Sequence, residues 1–574
     1  MHTVETVLLV LMLGALTGIA ARYVRAIPLP LIQIALGALI AWPQDGLHIA
    51  FDPELFLLLF IPPLLFADGW RIPKREFFAL AKPILLLAFG LVFITVFGLG
   101  YLIHWMIPSI PLTVAFALAA VVSPTDAVAV SAISRNLGMP SKTMHLLEGE
   151  SLLNDASGLV ALKFAVAATL TAGSFSWENA AKDFTWMSVG GLGLGALMGW
   201  GFSRGRDMVT RRVGDVAATQ MVLLLILLPF ASYIMGEYIG VSGILSAVAA
   251  GIATNFADLD RSNFISERLQ TEGTWSMVEA AFNGAIFLLL GLQLPSIIGE
   301  TLRGAAHRDV WLLLGYVAAI SCALLALRWA WLMLGVRSSL HKAHRQGRMV
   351  ERPSALLTLA TTVAGIRGAV TLAAALSIPT HLANGRVFPE RNLLIFLATG
   401  TILFTLVLGS IVLPLLLRRI PPVEDTQAQH EERLARTAAC QAAIASLALP
   451  EDQAQQHSAQ WLAQHQEVAG RITQEYRNRI QLLDESGVAN TPEAQSDSPE
   501  VVHERRLRYL REIELRLHCI QVERNTLYAE RQAHRINDEM LRSMVSELDM
   551  SEVSLRKRLA VARRAVGLPP LEGH

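Results

Sequence analysis

Gly149-Glu150-Ser151-Leu152-Leu153-Asn154-Asp155-Ala156-Ser157-Gly158 sets two carboxylates, an amide and two hydroxyls directly ahead of the apolar run Leu159–Ala168. Read as a helix, the stretch places Glu150, Ser151, Asn154 and Asp155 on adjacent faces within two turns. A carboxylate at membrane depth costs about 2.5–3.5 kcal/mol even on insertion scales. Such groups are retained where they meet a partner or a ligand. The fold therefore turns on whether this segment crosses a membrane, and the function on what the carboxylates meet.

The surrounding chain answers the first question. Its 574 residues are 53% hydrophobic and 17% charged, far too apolar for a soluble multidomain protein. Lys plus Arg and Asp plus Glu each number 48, so net charge points to neither a nucleic-acid partner nor an acidic ligand. Cys322, Cys440 and Cys519 are scattered and form no disulfide framework or metal-binding spacing. The N-terminus lacks the basic region of a signal peptide, and the apolar run after it reads as a first span.

Apolar stretches of spanning length recur about thirteen times: near 4–24, 28–45, 51–70, 80–107, 111–134, 145–173, 184–203, 218–236, 239–256, 273–294, 309–336, 354–379 and 392–418. The basic residues fall in alternate loops. One set holds Arg22, Arg25, Arg71, Lys74, Arg75, Arg135, Lys142, Arg204, Arg206, Arg211, Arg212, Arg261, Arg268, Arg337, Lys342, Arg345, Arg348 and Arg352. The other holds only Lys182, Arg303, Arg308, Arg386 and Arg391. By the positive-inside rule the N-terminus lies outside, and everything after Arg418-Arg419 is cytoplasmic. The expected class is an all-α polytopic membrane protein, with a transmembrane domain over 1–420 and a soluble helical tail over 421–574.

Two spans are interrupted. Ser123-Pro124-Thr125-Asp126 breaks the fifth and Gly365-Ile366-Arg367-Gly368 the twelfth. If spans 1–6 and 8–13 are inverted repeats, these breaks correspond, and unwound backbone in a membrane is tolerated where it lines a cavity. Thr125 and Asp126 then offer carbonyl and carboxylate oxygens, which suit hard cations. The blander reading has Ser123 and Thr125 satisfying the proline break and Asp126 capping the next half-helix; the two roles are compatible. Asp155 shares a face with Ser151, one turn earlier, and a cation fits between hydroxyl and carboxylate. Glu150 and Asn154 lie on a neighbouring face, and Arg367 is a candidate ion-pair partner for Glu150, tying the broken helices together. Arg328 needs an acceptor that the sequence does not name. Asp68, ending the third span, either draws cations into a cytoplasmic funnel or pairs with Arg71 and Lys74. Glu279 and Asn283 in the tenth span read equally well as site or helix contact.

The glycines at 190, 191, 193, 195, 199 and 201 lie inside a span and out of register for a dinucleotide loop, so close helix packing is expected. No GxxxxGK[ST] loop occurs, so any transport would not be driven by ATP on this chain, and no cofactor is called for. In the tail, Leu510, Ile513, Leu517, Ile520 and Leu527 recur at helical spacing among charges, as expected of a helical bundle or coiled coil that supports dimerisation. Around Glu485–Glu500, Gly487, Pro492, Ser496 and Pro499 read as a flexible linker.

Phe66-Ala67-Asp68, Ser123-Pro124-Thr125-Asp126-Ala127-Val128, Gly149-Glu150-Ser151-Leu152-Leu153-Asn154-Asp155 and Gly365-Ile366-Arg367-Gly368-Ala369-Val370 occur in an order that resembles the bacterial sodium/proton antiporters related to the animal sodium/proton exchangers. The resemblance spans about residues 1–420 and leaves the tail uncovered. It implies a homodimer in the bacterial inner membrane, with a dimerisation domain and a six-helix core that moves in an elevator-like way. It makes Asp155 the carboxylate that binds cation and proton alternately, with Ser151, Thr125 and Asp126 in the cation site and Asn154, Glu150 and Arg367 in support. Asp68 stands where many relatives carry Glu. Asn154 replaces the second aspartate of the electrogenic branch, which implies electroneutral exchange of one cation for one proton. Sodium is the expected cation, with lithium possible and potassium/proton exchange the alternative. An intramembrane aspartyl protease could also use Asp126 and Asp155, but its GxGD signature is absent, and no repeated pore-loop filter suggests a channel.

Overall fold

The computed structural model describes residues 2–20, 27–42, 58–134, 137, 139–170, 177–213, 218–257, 265–304, 310–345, 354–381, 387–420, 437–438, 440–447, 459–485, 499–532 and 538–565. The expected loop residues Arg22, Arg25, Arg135, Arg261, Arg308, Arg348, Arg352 and Arg386 lie outside these, as do the linker residues Gly487, Pro492 and Ser496. The chain divides into two compact units, Met1–Val423 and Glu424–His574.

Among the described residues the first unit is helical, with one isolated β-bridge between His381 and Val387. A helix or broken helix accompanies each expected apolar stretch: α1 (His2–Ala20), α2 (Leu29–Ala41), α3 (Ile61–Arg71), α4 (Ala81–Met106), α5a (Leu112–Val122) and α5b (Ala127–Ser134), α6 (Ser141–Leu170), α7 (Trp177–Val213), α8 (Ala218–Ile239), α9 (Gly243–Ala257), α10 (Ile265–Gly304), α11 (Val310–Arg345), α12a (Ala355–Val363) and α12b (Ala369–Leu376), and α13 (Arg391–Leu417). Seven of these, α4, α5, α6, α8, α10, α11 and α13, are long and apolar enough to cross a membrane. Helix is the only economical solution there, because lipid offers no partner to a free N–H or C=O.

The helices sort into two groups. α4, α5, α6, α11, α12 and α13, the last three spans of each proposed repeat, pack chiefly on one another, and the remaining seven form the second group. Within the second group the backbones approach where side chains vanish. A Cβ on Gly195 of α7 would sit 2.0 Å from the Ser246 carbonyl oxygen of α9, and one on Gly199 would sit 2.4 Å from that of Ala250. The glycine-rich stretch is thus a packing seam, as its position inside a span suggested. Gly37 of α2 and Gly291 of α10 form a second seam, each against the other helix's backbone. In α4, a π-helical segment over Leu86–Leu91 interrupts the regular winding beside α6.

The second unit contains α14 (Ala459–Glu485), α15 (Pro499–Gln532) and α16 (Asp538–Ala565). α15 and α16 pair antiparallel around Leu510, Ile513, Leu559 and Ala562, with Leu517 and Leu555 packed against them. Arg524 of α15 meets Asp549 and Glu552 of α16 at the other end. Leu510, Ile513 and Leu517, three of the helically spaced residues of the tail, therefore close a helical hairpin.

Candidate cation site

Both chain breaks fall within the six-helix group and cross each other. The backbone N–H of Asp126, between α5a and α5b, donates to the Ile366 carbonyl, between α12a and α12b, at 2.7 Å. Crossing brings helix ends together, and charged side chains answer the resulting dipoles. Asp126 Oδ1 accepts from the N–H groups of Val128 (2.8 Å) and Ala129 (3.1 Å), capping α5b. Its Oδ2 lies against Gly368, where a Cβ would be only 1.9 Å away, so glycine at 368 is what admits the carboxylate between the two half-helices. Arg367 Nε donates to the Val122 carbonyl at the end of α5a at 3.0 Å, and its Nη1 to the Gly365 carbonyl. A cation thus sits at the C-terminal ends and an anion at the N-terminal ends.

α6 locks onto this crossing through the opening decapeptide. The Ser151 hydroxyl donates to the Thr125 carbonyl (2.8 Å) and accepts from the Ala127 N–H (3.2 Å). Asn154 Nδ2 donates to the Thr125 hydroxyl at 2.8 Å. Ser157 Oγ donates to the Ala88 carbonyl in the π-helical segment at 2.6 Å, and Gly158 leaves room for the Pro124 ring. Ser123 Oγ donates back to the Ala120 carbonyl, so Ser123 satisfies the proline break while Asp126 caps α5b; the Thr125 hydroxyl instead accepts from Asn154.

The expected Glu150–Arg367 ion pair does not form. Glu150, 1% exposed, is instead held by both terminal guanidinium nitrogens of Arg328 in α11: Nη1 to Oε1, and Nη2 to Oε2 at 2.8 Å. Arg328 Nε reaches the Thr361 carbonyl of α12a at 3.2 Å. Arg328 is equally buried, so this fork is the acceptor that the sequence left unnamed. Arg367 is drawn away because the carbonyls of two helix ends need it more than an already satisfied carboxylate does. The sequence order of α11 and α6 carried no signal of their adjacency.

Asp155 is different. It is buried in the protein yet lines a cavity of about 950 Å³, and among the described residues nothing donates a hydrogen bond to its carboxylate. The face of α6 that lines the cavity runs Met144, Glu148, Ser151, Asp155 and stops there. At 1.5 Å per residue, Asp155 lies roughly 16 Å along the helix from Met144, at the inner end of this lining face. Thr125 and Asp126 line the same cavity, as do Asp68 of α3 and Glu279 of α10. Five carboxylates face it, counting Glu148, against one arginine, Arg71, among the described lining residues. Low-dielectric walls focus such a charge imbalance into a field that draws cations.

Asp68 does not pair with Arg71 or Lys74. Arg71 Nη1 goes to Glu279 Oε2 and its Nη2 lies 3.4 Å from Ser276 Oγ, while Lys74 stands over the Phe256 ring. Glu148, whose spacing of seven from Asp155 could have flagged it, was not anticipated; it contacts His145 at 3.3 Å. Asn283 also lines the cavity.

Comparison with known proteins agrees with this architecture. Residues 8–419 match the family described as sodium/hydrogen exchanger, transmembrane. The uncharacterized Na(+)/H(+) exchanger YjcE of Escherichia coli is 42% identical over 556 residues, covering 96% of this chain and 98% of that protein. A protein of Bacillus pumilus named sodium, potassium, lithium and rubidium/H(+) antiporter is 47% identical over 433 residues, 74% of this chain and 64% of its own length. The solved structure of the sodium proton antiporter MjNhaP1 from Methanocaldococcus jannaschii superposes with a TM-score of 0.56 at 17% identity, over 73% of this chain and 99% of that one, which shows a common fold. With its two broken helices crossing above an open carboxylate, this chain belongs to the sodium/hydrogen exchanger family of multi-pass membrane proteins.

Proposed function

We propose that the chain exchanges one monovalent cation for one proton, with Asp155 as the group for which the two compete. The observation that carries this reading is the contrast in occupancy on α6: Asp155 has no donor among the described residues, opens into a cavity ringed by carboxylates, and sits one turn from Ser151. A cation entering the cavity meets hard oxygen donors at Asp155, Ser151, Thr125 and Asp126. A proton on Asp155 neutralises the same charge that a bound cation would, so the two exclude one another. Only a neutralised site crosses the low-dielectric interior cheaply.

Because residue 154 is Asn, a single exchanging carboxylate remains, and the cycle moves one charge each way without net current. Sodium is the proposed principal cation, with lithium beside it. The name of the Bacillus relative favours a second reading in which potassium is also carried, since oxygen ligands set hardness while cavity size and ligand number set the choice among alkali ions. In this reading the protein is a homodimer in the bacterial inner membrane, with the N-terminus outside, the tail in the cytoplasm, and the six-helix group moving against the other.

The test is dissipation of a pH gradient in proteoliposomes, with sodium, lithium and potassium compared under voltage clamp. Wild type should give cation-dependent proton flux that does not vary with voltage. Asp155→Asn should abolish it while leaving yield and thermal stability intact; persisting sodium-dependent flux in that variant would refute the assignment.

A further inference from the structure

On the reading that cations reach Asp155 through this cavity, we propose that Glu279 is a positioning residue that keeps the cation route open by holding Arg71. Arg71 is the one basic side chain among the described residues lining the cavity. It lies toward the open side of the cavity, because its side chain is 37% exposed whereas Asp155 is buried. Asp68 and Arg71 are separated by three residues on one helix, so they share a face and their side chains can meet. Left alone, the arginine would fold onto Asp68 and place a fixed positive charge over the entry.

The geometry shows why it does not. The guanidinium is turned to α10, with Nη1 on Glu279 Oε2 and Nη2 toward Ser276 Oγ at 3.4 Å. Glu279 is well placed to win this competition. Its side chain is 19% exposed, against 37% for Arg71, so the pair is formed at the protected wall of the cavity and the charge is less screened there. The cavity keeps Asp68, Glu148, Asp126 and Asp155 as unneutralised attractors, and Arg71 stays anchored at its rim. Glu279 touches neither the proposed cation site nor Asp155 through any hydrogen bond among the described residues. It acts through Arg71.

The test measures initial rates of sodium-dependent proton flux in proteoliposomes against sodium concentration, for the full chain and for Glu279→Gln, Arg71→Gln and the double variant. Glu279→Gln should raise the half-saturating sodium concentration roughly tenfold, as expected when an attractive entry field is cancelled, with the maximal rate little changed. The double variant should return it to the wild-type value, and Arg71→Gln alone should leave it unchanged or lower it. A fall in maximal rate without a change in half-saturation, or failure of the double variant to rescue, would overturn the proposal, since Glu279 would then be structural or itself a cation ligand. If Glu279→Gln does not yield folded protein, Arg71→Gln decides alone: an increase in half-saturating sodium overturns the proposal, and no increase supports it. Asp155→Asn is run in parallel. Flux persisting there defeats the site reading, whereas abolished flux with unchanged Glu279→Gln kinetics defeats only this inference.

Discussion

Glu150 and Asp155 are carboxylates five residues apart on one membrane helix, and their surroundings could hardly differ more. Glu150 is gripped by a bidentate guanidinium on α11 and does not line the carboxylate-ringed cavity; Asp155 lines that cavity and has no hydrogen-bond donor among the described residues. The cost of burying charge is met in the first case by a permanent counter-ion inside the fold. In the second it is left to be met by whatever enters. On the proposed reading, a membrane protein uses the same chemical group as a rivet and as a receptor, and partner supply separates the roles.

The comparison is most severely tested by swapping an amide for each carboxylate. Glu150→Gln strands a buried guanidinium and should cost about 3–5 kcal/mol, seen as a large fall in the thermal unfolding midpoint of the detergent-solubilised protein and in membrane yield. Asp155→Asn strands nothing and should leave that midpoint unchanged or higher while transport stops. Replacing the whole fork, as Glu150→Leu with Arg328→Met, should recover most of the lost stability, because a buried ion pair exchanged for apolar groups of similar volume is often close to neutral. Equal stability losses for the two amides would remove the distinction drawn here.

Gly368→Ala probes the third arrangement, in which Asp126 is shared by two half-helices. A methyl placed 1.9 Å from Asp126 Oδ2 forces backbone apart at the crossing, at a cost of about 1–3 kcal/mol, and transport should fall with it. Asn154→Ala is gentler. It removes one donor from the Thr125 hydroxyl and should cost about 1 kcal/mol, reducing transport without eliminating it if Asn154 only steadies the broken helix.

Much of this was legible in the residues themselves. Hydropathy located the helices, seven of them long and apolar enough to cross a membrane, the Pro124 and Gly365–Gly368 breaks marked where two of them are interrupted, and polar residues in α6 marked the candidate site. What could not be read was which element faced which. Arg328 was recognisable as a buried cation in want of an acceptor, and Glu150 as an anion in want of a partner. Two cations were available, and choosing Arg367 required ignoring the helix-end carbonyls of Val122 and Gly365, which appear only once the breaks cross. Likewise Asp68 had Arg71 one turn away in sequence, but the competing Glu279 lies on a helix about two hundred residues later. Local spacing names candidates for an ion pair; long-range packing decides among them.

The tail supplies a partly buried carboxylate outside the membrane helices to set beside the two in α6. Glu552 accepts from Arg524 across the hairpin and from Arg556 one turn on, and these guanidiniums hold its carboxyl below the ordinary value of 4.5, Arg524 contributing most. A depressed folded value means that the unfolded tail binds protons more readily, so the contribution to stability is complete above about pH 4.5 and is lost as pH falls through the folded value. The effect should be the smallest of the series, because water and salt reach the cluster through its half-exposed members Asp549 and Arg556. Hydrogen exchange of the full-length protein, followed through α16 between pH 6 and 4 after correction for intrinsic rates, should show protection declining at the acid end. Glu552→Gln should flatten that decline, and 1 M salt should weaken it. The buried Glu150–Arg328 fork should ignore the salt, which would place the difference between rivet and surface pair in solvent access and leave none of it to the identity of the charged groups.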